Sequence, residues 1–452
     1  MSAPGAKVHF TGVCGTGMSA LAQFEALRGL SVSGSDRSAD RGESADAVRR
    51  LGSVGVKVLP QDGSGVTKDM TVVVSTAIET DNKDLTRARL LGAKVVHRAD
   101  YLAALADARR AAAVAGTSGK STVTAMLFEI LRAAGRSPSL IAGANLPSLR
   151  AQGLIGNAWL GTAGPLVLEA DESDGTLTRY RPELGLLLNI SKDHKELEEL
   201  AALFREFRAR SRSFVVSADA HGLEEFQQGA LTYGFARGEV RGSGLEVGPR
   251  GSRFRAGGAE FSLTIPGAYN AENALAAAAA AKALGVPLAE SARALQGFRG
   301  VGRRFEVKGE ARGVEVVDDF AHNPEKVRAV LGAAHLRAKR VLAVFQLHGF
   351  APARFMKAEF LDAFAESLRP GDALWLPDIY YVGGTAAKDV SAKDYADALI
   401  ARGARAVHRP DRGAIPAEIA AEARDGDLVL VMGARDPSLP DFADSVLAAL
   451  RG

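Results

Sequence analysis

Short apolar runs alternate along the whole chain with longer stretches whose apolar residues recur at helical spacing. Residues 7–10 form such a run. After a glycine-rich turn, residues 19–28 carry a helical pattern and residues 31–33 form a second short strand, which makes one strand-helix-strand unit. Residues 71–75 and 94–96 read as further strands of the same sheet. Residues 101–110 are helical and Ala-rich, and residues 111–115 open a fresh strand before a second glycine loop, so a first boundary is expected near Arg109.

The next block predicts strands over residues 166–168, 184–188 and 214–217, a Gly/Arg-rich run over 238–258 suited to antiparallel hairpins, and a long helix over 270–284. That helix is almost pure alanine and leucine, which permits close packing. Beyond Gly297 to Gly302, two arginines lead into a third block with strands expected at residues 314–317, 340–345, 373–376 and 428–432. Strands alternating with helices imply parallel sheets with crossover helices, so the class is α/β. The expected domains are residues 1–109, 110–302 and 303–452, with no short-period repeat and no long disordered linker.

Composition narrows the function classes. The 452 residues, 47% hydrophobic and 24% charged, are enough for about three globular domains. A net charge of +3 from 56 basic and 53 acidic residues, without a polybasic tail, makes nucleic acid an unpromising partner. One cysteine cannot form an internal disulfide, and no apolar stretch suits a signal peptide or a membrane span. A cytoplasmic location with no membrane insertion is the simplest expectation. Oligomeric state is not legible.

The most informative segment is Ala115-Gly116-Thr117-Ser118-Gly119-Lys120-Ser121-Thr122, between an apolar strand and a helical pattern. Glycines let backbone N–H groups face a polyphosphate, the helix N-terminus favours negative charge, Lys120 supplies a point charge, and Ser121 offers a hydroxyl to magnesium. It is a shortened variant of G-x-x-x-x-G-K-[ST], with Val114 where the first glycine would fall. ATP or GTP is the expected cofactor. The alternative is a strand-to-helix turn with an accidental lysine.

Two further strand ends carry polar clusters. Glu169, Asp171, Glu172 and Asp174 follow an apolar run, at the edge of an open α/β sheet that faces the ligand crevice. Crowded carboxylates repel unless a cation compensates, so magnesium is a reasonable partner and Glu169 its best candidate ligand, against the alternative of a solvated acidic loop. Asn189 to His194 repeats the arrangement. His194 can bind a metal through a neutral imidazole with Asp193 orienting it, although a lone histidine after a strand is more often a surface or capping residue. At the N-terminus, Gly12, Gly15 and Gly17 allow close approach of a diphosphate to the helix expected to begin near Met18, and Asp36 lies where a dinucleotide fold places its ribose-binding acid. That raises an NAD-dependent oxidoreductase as a rival, but the spacing is G-x-x-G-x-G and the Lys120 loop would go unexplained. Cys14, near the same helix start, is either a thiol of lowered pKa or a small residue filling a turn.

Taken in order, these motifs resemble those of the Mur ligase family. Residues 116–122 are similar to its G-T-x-G-K-T-T loop, 169–177 to E-A-D-E-S-D-x-x-L, 189–194 to N-I-x-x-D-H, 270–275 to H-N-x-x-N-A-L, Arg303-Arg304-Phe305 to R-R-F, and 318–324 to D-D-Y-x-H-H-P. His9 to Ser19 resembles the H-F-I-G-x-G-G-x-G-M-S opening of members that act on UDP-N-acetylmuramate. The resemblance spans essentially the whole chain.

It implies three domains: a Rossmann-like N-terminal domain for the UDP-sugar, a central ATPase with a mostly parallel sheet, and a Rossmann-like C-terminal domain that brings the amine. The implied activity is ATP-driven amide formation in peptidoglycan synthesis, in which the lactyl carboxylate attacks the γ-phosphate and an amine displaces phosphate from the acyl phosphate. The implied nucleotide set is Gly116, Thr117, Ser118, Gly119, Lys120, Ser121 and Thr122, with Asn270 and Asn273 reading adenine, and Arg304 and Asp319 reaching the nucleotide from the third domain. Magnesium would be held by Ser121, Glu169 and His194. Lys120, Glu169, His194 and Arg304 would be the catalytic groups. For Arg304 the alternative is an exposed linker charge, and for Asp319 a helix N-cap. The substrate set would be Gly12, Gly15, Gly17, Met18, Ser19, Asp36, His322, His348 and Arg354, with domain closure about residues 300–302.

The match departs from the family at several positions. Ser118, Tyr269 and Asn323 stand where histidines are usual. Residues 345–354 resemble F-Q-P-H-R-Y-T-R-T-R, but Gly349 and Pro352 replace two arginines in the region where the amine enters. Arginine is the natural clamp for a carboxylate, so the change bears on the amine: L-alanine is favoured, with the tripeptide L-Ala-γ-D-Glu-meso-diaminopimelate used in recycling as the alternative. A nucleotide-binding regulator without turnover is a third reading, opposed by the presence of Lys120, Glu169 and His194 together.

Overall fold

The computed structural model describes residues 5–172, 177–191, 196–381 and 387–452. His194 therefore lies outside the described residues, as do Asp174 and Asp193. Among the described residues there are three sheets, and the chain divides into two compact units. The first comprises Met1–Leu245, Arg253–Leu263 and Ala271–Val301, and the second Glu246–Ser252, Thr264–Asn270 and Gly302–Gly452.

In the first unit, β1 (Lys7–Thr11), β2 (Ser31–Ser35), β3 (Lys57–Leu59), β4 (Met70–Val74) and β5 (Lys94–His97) form a parallel sheet in the order β3-β2-β1-β4-β5. The order reverses at β1, so the glycine loop that follows β1 sits at the switch point of a doubly wound sheet. The helix after this loop is Thr16–Leu27, two residues earlier than the glycine spacing suggested, because the Met18 and Ser19 N–H groups already bond to the Gly15 carbonyl.

The same unit holds a larger sheet. Its strands are β6 (Ala111–Ala115), β7 (Ser139–Ile141), β8 (Ala158–Trp159), β9 (Leu166–Glu169), β10 (Leu184–Leu187), β11 (Ser213–Ser217), β12 (Leu231–Gly234), β13 (Val240–Gly248), β14 (Gly251–Ala256) and β15 (Ala259–Leu263). The order is β15-β14-β13-β12-β11-β10-β6-β9-β7-β8. Its central strands are buried on both faces and parallel, as their continuous apolar runs require. The Gly/Arg-rich run becomes β13 and β14, adjacent strands joined by Pro249 and Arg250, although β13 meets β12 in parallel. The Ala-rich helix is Ala268–Ala283. One buried cluster runs from Phe10, Leu21 and Phe24 to Leu166, Leu168 and Phe204, so the two sheets share a core.

The second unit contains β16 (Glu306–Ala311), β17 (Val314–Asp319), β18 (Arg340–Gln346), β19 (Ala373–Pro377), β20 (Ala406–Arg409) and β21 (Asp427–Gly433), in the order β16-β17-β21-β18-β19-β20. All pairings are parallel except β16 with β17. No helix of the described residues is long and apolar enough to cross a membrane.

Candidate active site

The phosphate loop leaves β6 at the middle of the large sheet, and its two neighbours, β9 and β10, end beside it. Glu169 and Asn189 therefore flank residues 116–119 as a direct consequence of strand order. Gly116 and Gly119 adopt φ of 133° and 86°. A side chain at Gly116 would meet Leu188 Cβ at 3.0 Å, and one at Gly119 would meet Asn273 Oδ1 at 2.6 Å, so only glycine admits these approaches.

Asn189 braces the loop on one side. Its Oδ1 accepts from Ser118 N at 2.9 Å and Thr117 Oγ1 at 3.0 Å, and its Nδ2 donates to the Ser118 carbonyl at 3.1 Å. Ser191 N donates back to Thr117 Oγ1 at 3.0 Å. Thr122 is buried in the first turn of the Lys120–Ala133 helix.

Lys120 Nζ lies 2.7 Å from Glu172 Oε2 and 2.7 Å from the Gly116 carbonyl oxygen. Burial opposes the ammonium, but the carboxylates of Glu172, Asp171 and Glu169 outweigh it and hold Lys120 above the usual lysine range. On the other side, Glu169 Oε1 accepts from Gly143 N at 2.6 Å and Oε2 accepts from Ser121 Oγ at 3.0 Å.

A polyphosphate suits this cradle. The Thr117 and Ser118 amides are taken by Asn189, but the loop runs into the N-terminus of the Lys120–Ala133 helix, whose dipole favours an anion, and Ser118 Oγ is buried with no partner among the described residues. Ser121 Oγ and Glu169 Oε2 are hard oxygen donors of the kind magnesium takes. No group of three His, Cys, Asp or Glu side chains converges among the described residues. That is compatible with magnesium, which binds through one or two protein oxygens and completes its shell with phosphate and water.

In the first sheet, the Gly12 and Val13 N–H groups donate to the Ser35 carbonyl, and Gly15 N to the Gly12 carbonyl, which closes the loop. Gly17 lies under Arg98, whose Nη1 would stand 2.9 Å from an added Cβ. Met18 is buried in the core. Ser19 Oγ donates to the Thr16 carbonyl at 3.1 Å. Asp36 accepts from Cys14 N at 3.0 Å and caps its own short helix through Ser38 N at 2.9 Å. The lowered thiol pKa considered for Cys14 is reversed: burial, then the Asp36 carboxylate, pushes it up to about 12.

In the second unit, functional candidates again stand at or beyond carboxyl ends of strands, Asp319 and His322 at β17 and His348 after β18, with β21 between the two strands. Asp319 ends β17, where its carboxylate accepts from Phe305 N at 2.6 Å and Ala321 N at 2.7 Å. Burial raises its pKa, opposed by Arg304. It is not a helix N-cap: Asn323 caps the Pro324–His335 helix, accepting from Lys326 N at 2.9 Å, which accounts for asparagine at that departure from the family pattern. The guanidiniums of Arg303 and Arg304 each lie 5.0 Å from the Phe320 ring. Arg304 is half-buried over that ring rather than an exposed linker charge.

His322 Nδ1 donates to the Phe320 carbonyl at 2.7 Å, its ring is 5.8 Å from that of His348, and burial keeps it neutral. Arg354 is committed locally, with Nε 2.9 Å from Asp389 Oδ1 and Nη2 2.8 Å from the Ala387 carbonyl. Gly349, at φ 69°, caps the Phe350–Phe355 helix, and Pro352 lies in the first turn of that helix, so the two missing arginines give way to a helix start. Asn270 Nδ2 donates to the Pro266 carbonyl at 2.6 Å, while Asn273 sits against Gly119.

Sequence reasoning passed over Glu172 as the partner of Lys120, Asn189 as the brace, Gly143, and the Arg303–Asp318 pair at 3.1 Å. Asn189, Arg303 and Asp318 stood inside motifs already singled out. Gly143 had no sequence signal.

A phosphate loop on a parallel sheet, preceded by a doubly wound glycine-loop sheet and followed by a third α/β sheet, defines the class, and the chain belongs to the Mur ligase family. Residues 7–110 match the Mur ligase family catalytic domain, 114–281 the Mur ligase middle domain, and 303–435 the Mur ligase glutamate ligase domain. The chain is 38% identical to the UDP-N-acetylmuramate--L-alanine ligase of Streptomyces coelicolor, covering 95% of each, and 33% identical to that of Nostoc sp., covering 98% of this chain and 97% of the relative. Among solved structures, it is similar to UDP-N-acetylmuramate-alanine ligase MurC of Thermotoga maritima, with a TM-score of 0.82, 26% identity, and 98% and 99% of the two chains covered. The murein peptide ligase of Psychrobacter arcticus shares the fold, with a TM-score of 0.70, 24% identity, and 99% of each chain covered. Membership in this family sets aside the NAD-dependent oxidoreductase.

Proposed function

We propose that this protein is an ATP-dependent ligase that joins the lactyl carboxylate of UDP-N-acetylmuramate to L-alanine in peptidoglycan synthesis, through an acyl phosphate. The observation that carries the reading is the convergence of Lys120, Ser121 and Glu169 at the carboxyl ends of β6 and β9, beside a glycine loop built for phosphate. Relatives at 33 to 38% identity over nearly the whole chain carry the name UDP-N-acetylmuramate--L-alanine ligase.

The first step brings two anions together, so positive charge and positioning supply most of the catalysis. Lys120 leaves Glu172 to hold the β- and γ-phosphates, while the start of the Lys120–Ala133 helix and Ser118 Oγ cradle them. Ser121 and Glu169 would hold magnesium, with His194 as a further ligand, and the ion would supply positive charge against the phosphoryl oxygens. Gly12, Gly15 and the start of the Thr16–Leu27 helix take the diphosphate of the sugar nucleotide. Arg304 and Asp319 act on the nucleotide from the third domain, Asn270 and Asn273 on adenine, and His322, His348 and Arg354 line the amine side. The domains are taken as residues 1–109, 110–302 and 303–452, and a cytoplasmic location follows from the substrates.

A second reading is favoured by one observation. Gly349 and Pro352 remove two cations, and Arg354 is spent on Asp389, which leaves a carboxylate clamp for a single amino acid thin. The tripeptide of the recycling reaction is the alternative amine. Phosphate release from ATP with UDP-N-acetylmuramate and a panel of single amino acids beside the tripeptide tests both. Stimulation by alanine alone supports the first reading, stimulation by the peptide alone the second, and no stimulation with nucleotide still bound overturns both.

A further inference from the structure

The two sheets of the first unit are joined by a buried polar clasp centred on Asn157, which lies just before β8 and is fully buried. Its Nδ2 donates to the Thr16 carbonyl at 2.9 Å and to Ser19 Oγ at 3.0 Å, both in the first turn of the helix that follows the glycine loop. Its Oδ1 accepts from Gln23 Nε2 at 2.6 Å, one turn further along that helix. Gln23 Oε1 in turn accepts from Ile155 N at 3.1 Å. Both amide hydrogens of Asn157 are used and its oxygen is engaged, so the network is satisfied across more than 130 residues of sequence separation.

A second strap reaches the same segment of the central sheet. Arg50, on the Ala45–Ser53 helix of the first sheet, donates through Nη1 to the Arg150 carbonyl at 3.1 Å and the Leu154 carbonyl at 2.8 Å. The loop over residues 150–157 is thus gripped by two helices of the first sheet. A buried network of this kind gives little net stability over an apolar contact, but it permits one register and penalises others.

We propose that Asn157 is a positioning residue that holds the glycine loop of the first sheet in one register with the phosphate loop and Glu169 of the central sheet. The inference rests on the reading that the first loop carries the sugar nucleotide and the second carries ATP. Each ligand then meets its own loop without Asn157, but the acid and the γ-phosphate meet in line only when the two loops keep their spacing. A displacement of about 1 Å between reacting groups costs on the order of a hundredfold in rate.

The test compares wild type with Asn157→Ala and Gln23→Ala. Titration calorimetry measures ATP and UDP-N-acetylmuramate separately, and steady-state kinetics measure turnover. Both binary affinities are expected to stay within about threefold of wild type while kcat falls about tenfold to a hundredfold, with Gln23→Ala the milder variant. Hydrogen exchange on the ligand-free variants is expected to rise in peptides covering residues 12–19 and 153–159 and to stay unchanged at residues 116–121. Unchanged kcat, or faster exchange throughout the protein with both affinities lost together, overturns the positioning role. If wild type fails to bind UDP-N-acetylmuramate, the proposed reaction falls, and the exchange pattern still decides whether Asn157 joins the two sheets locally.

Discussion

Lys120 and Glu172 form an ion pair closed off from solvent, with Nζ 2.7 Å from Oε2 and their side chains 14% and 5% exposed. The lysine that a triphosphate needs is thus already positioned, but on a carboxylate. Lys120→Ala is expected to abolish phosphate release. It should also destabilise the first unit by about 3 kcal/mol, because Glu172 is left buried without a counter-charge. Adding Glu172→Gln to that variant should restore most of the stability and none of the turnover. Denaturant midpoints and phosphate release measure the two effects, and near-normal turnover in Lys120→Ala would remove its phosphate role.

Glu172→Gln alone separates the placeholder from the catalyst. Binding a triphosphate requires Lys120 to give up a charged partner, and an amide in that place is easier to leave by about 1.4 kcal/mol, the difference between charged and neutral hydrogen bonds. ATP should bind about tenfold more tightly to this variant. Calorimetry with magnesium present measures it. Weaker binding would mean that Glu172 assists the nucleotide directly.

Asp318 supplies a pH signature. Burial, only partly offset by Arg303, raises its pKa from 3.8 to about 6. An acid with a raised folded pKa binds more protons folded than unfolded across that window, so stability is highest below it and falls as pH climbs from about 4 to about 6. The loss is on the order of 3 kcal/mol and is complete above about pH 6. Urea denaturation of the wild type should show this decline and Asp318→Asn should show it reduced. Parallel profiles for the two proteins would sink the assignment.

The thiol of Cys14, pushed up to about 12 by burial and Asp36, should be nearly inert in the folded protein. At pH 8 only about one molecule in ten thousand carries a thiolate. Iodoacetamide should alkylate the native protein at least a hundredfold more slowly than the urea-unfolded chain. Comparable rates would show that the loop opens freely.

Much of this arrangement was legible in the chain because buried parallel strands announce themselves. Residues 111–115 and the apolar run ending at Glu169 fall almost on the observed strands, since a strand covered on both faces must be apolar throughout. Of the edge strands, Lys94–His97 was expected, but others did not announce themselves. Glu306–Ala311 alternates partly exposed residues and shifts register between Val307 and Gly309, and Lys57–Leu59 and Ala158–Trp159 are too short to show a period. In the site, residues bound to a local motif were found, while those recruited across the fold were not. Glu172 was seen as one of a group of acids, but its pairing with Lys120 depends on β6 and β9 being neighbours. Asn157 lies in a segment with no motif, and its partners are on a helix of another sheet. Arg303 and Asp318 were eclipsed by Arg304 and Asp319 because each is the immediate neighbour of a like residue, and only the backbone decides which members pair with each other.

Asp319 shows what that backbone demands. Arg303 and Phe305 both adopt left-handed conformations, at φ of 57° and 52°, which cost non-glycine residues about 1 kcal/mol or more each. The turn is held by the Asp319 carboxylate, which accepts from Phe305 N and Ala321 N, and by Phe320 N donating to the Arg303 carbonyl at 2.8 Å. Asp319→Ala removes the acceptor of two buried N–H groups and the negative charge facing Arg304. It should lower the stability of the second unit by about 2 to 4 kcal/mol. Asp319→Asn keeps one acceptor but places an amide against the remaining N–H, so it should recover only part of the loss. Denaturation followed by Trp375, which is buried in this unit, reports the effect, since its indole donates to Glu418 and its surroundings open on unfolding. A loss below about 1 kcal/mol in Asp319→Ala would mean that the turn is held by its own packing, and that Asp319 is free to serve the nucleotide alone.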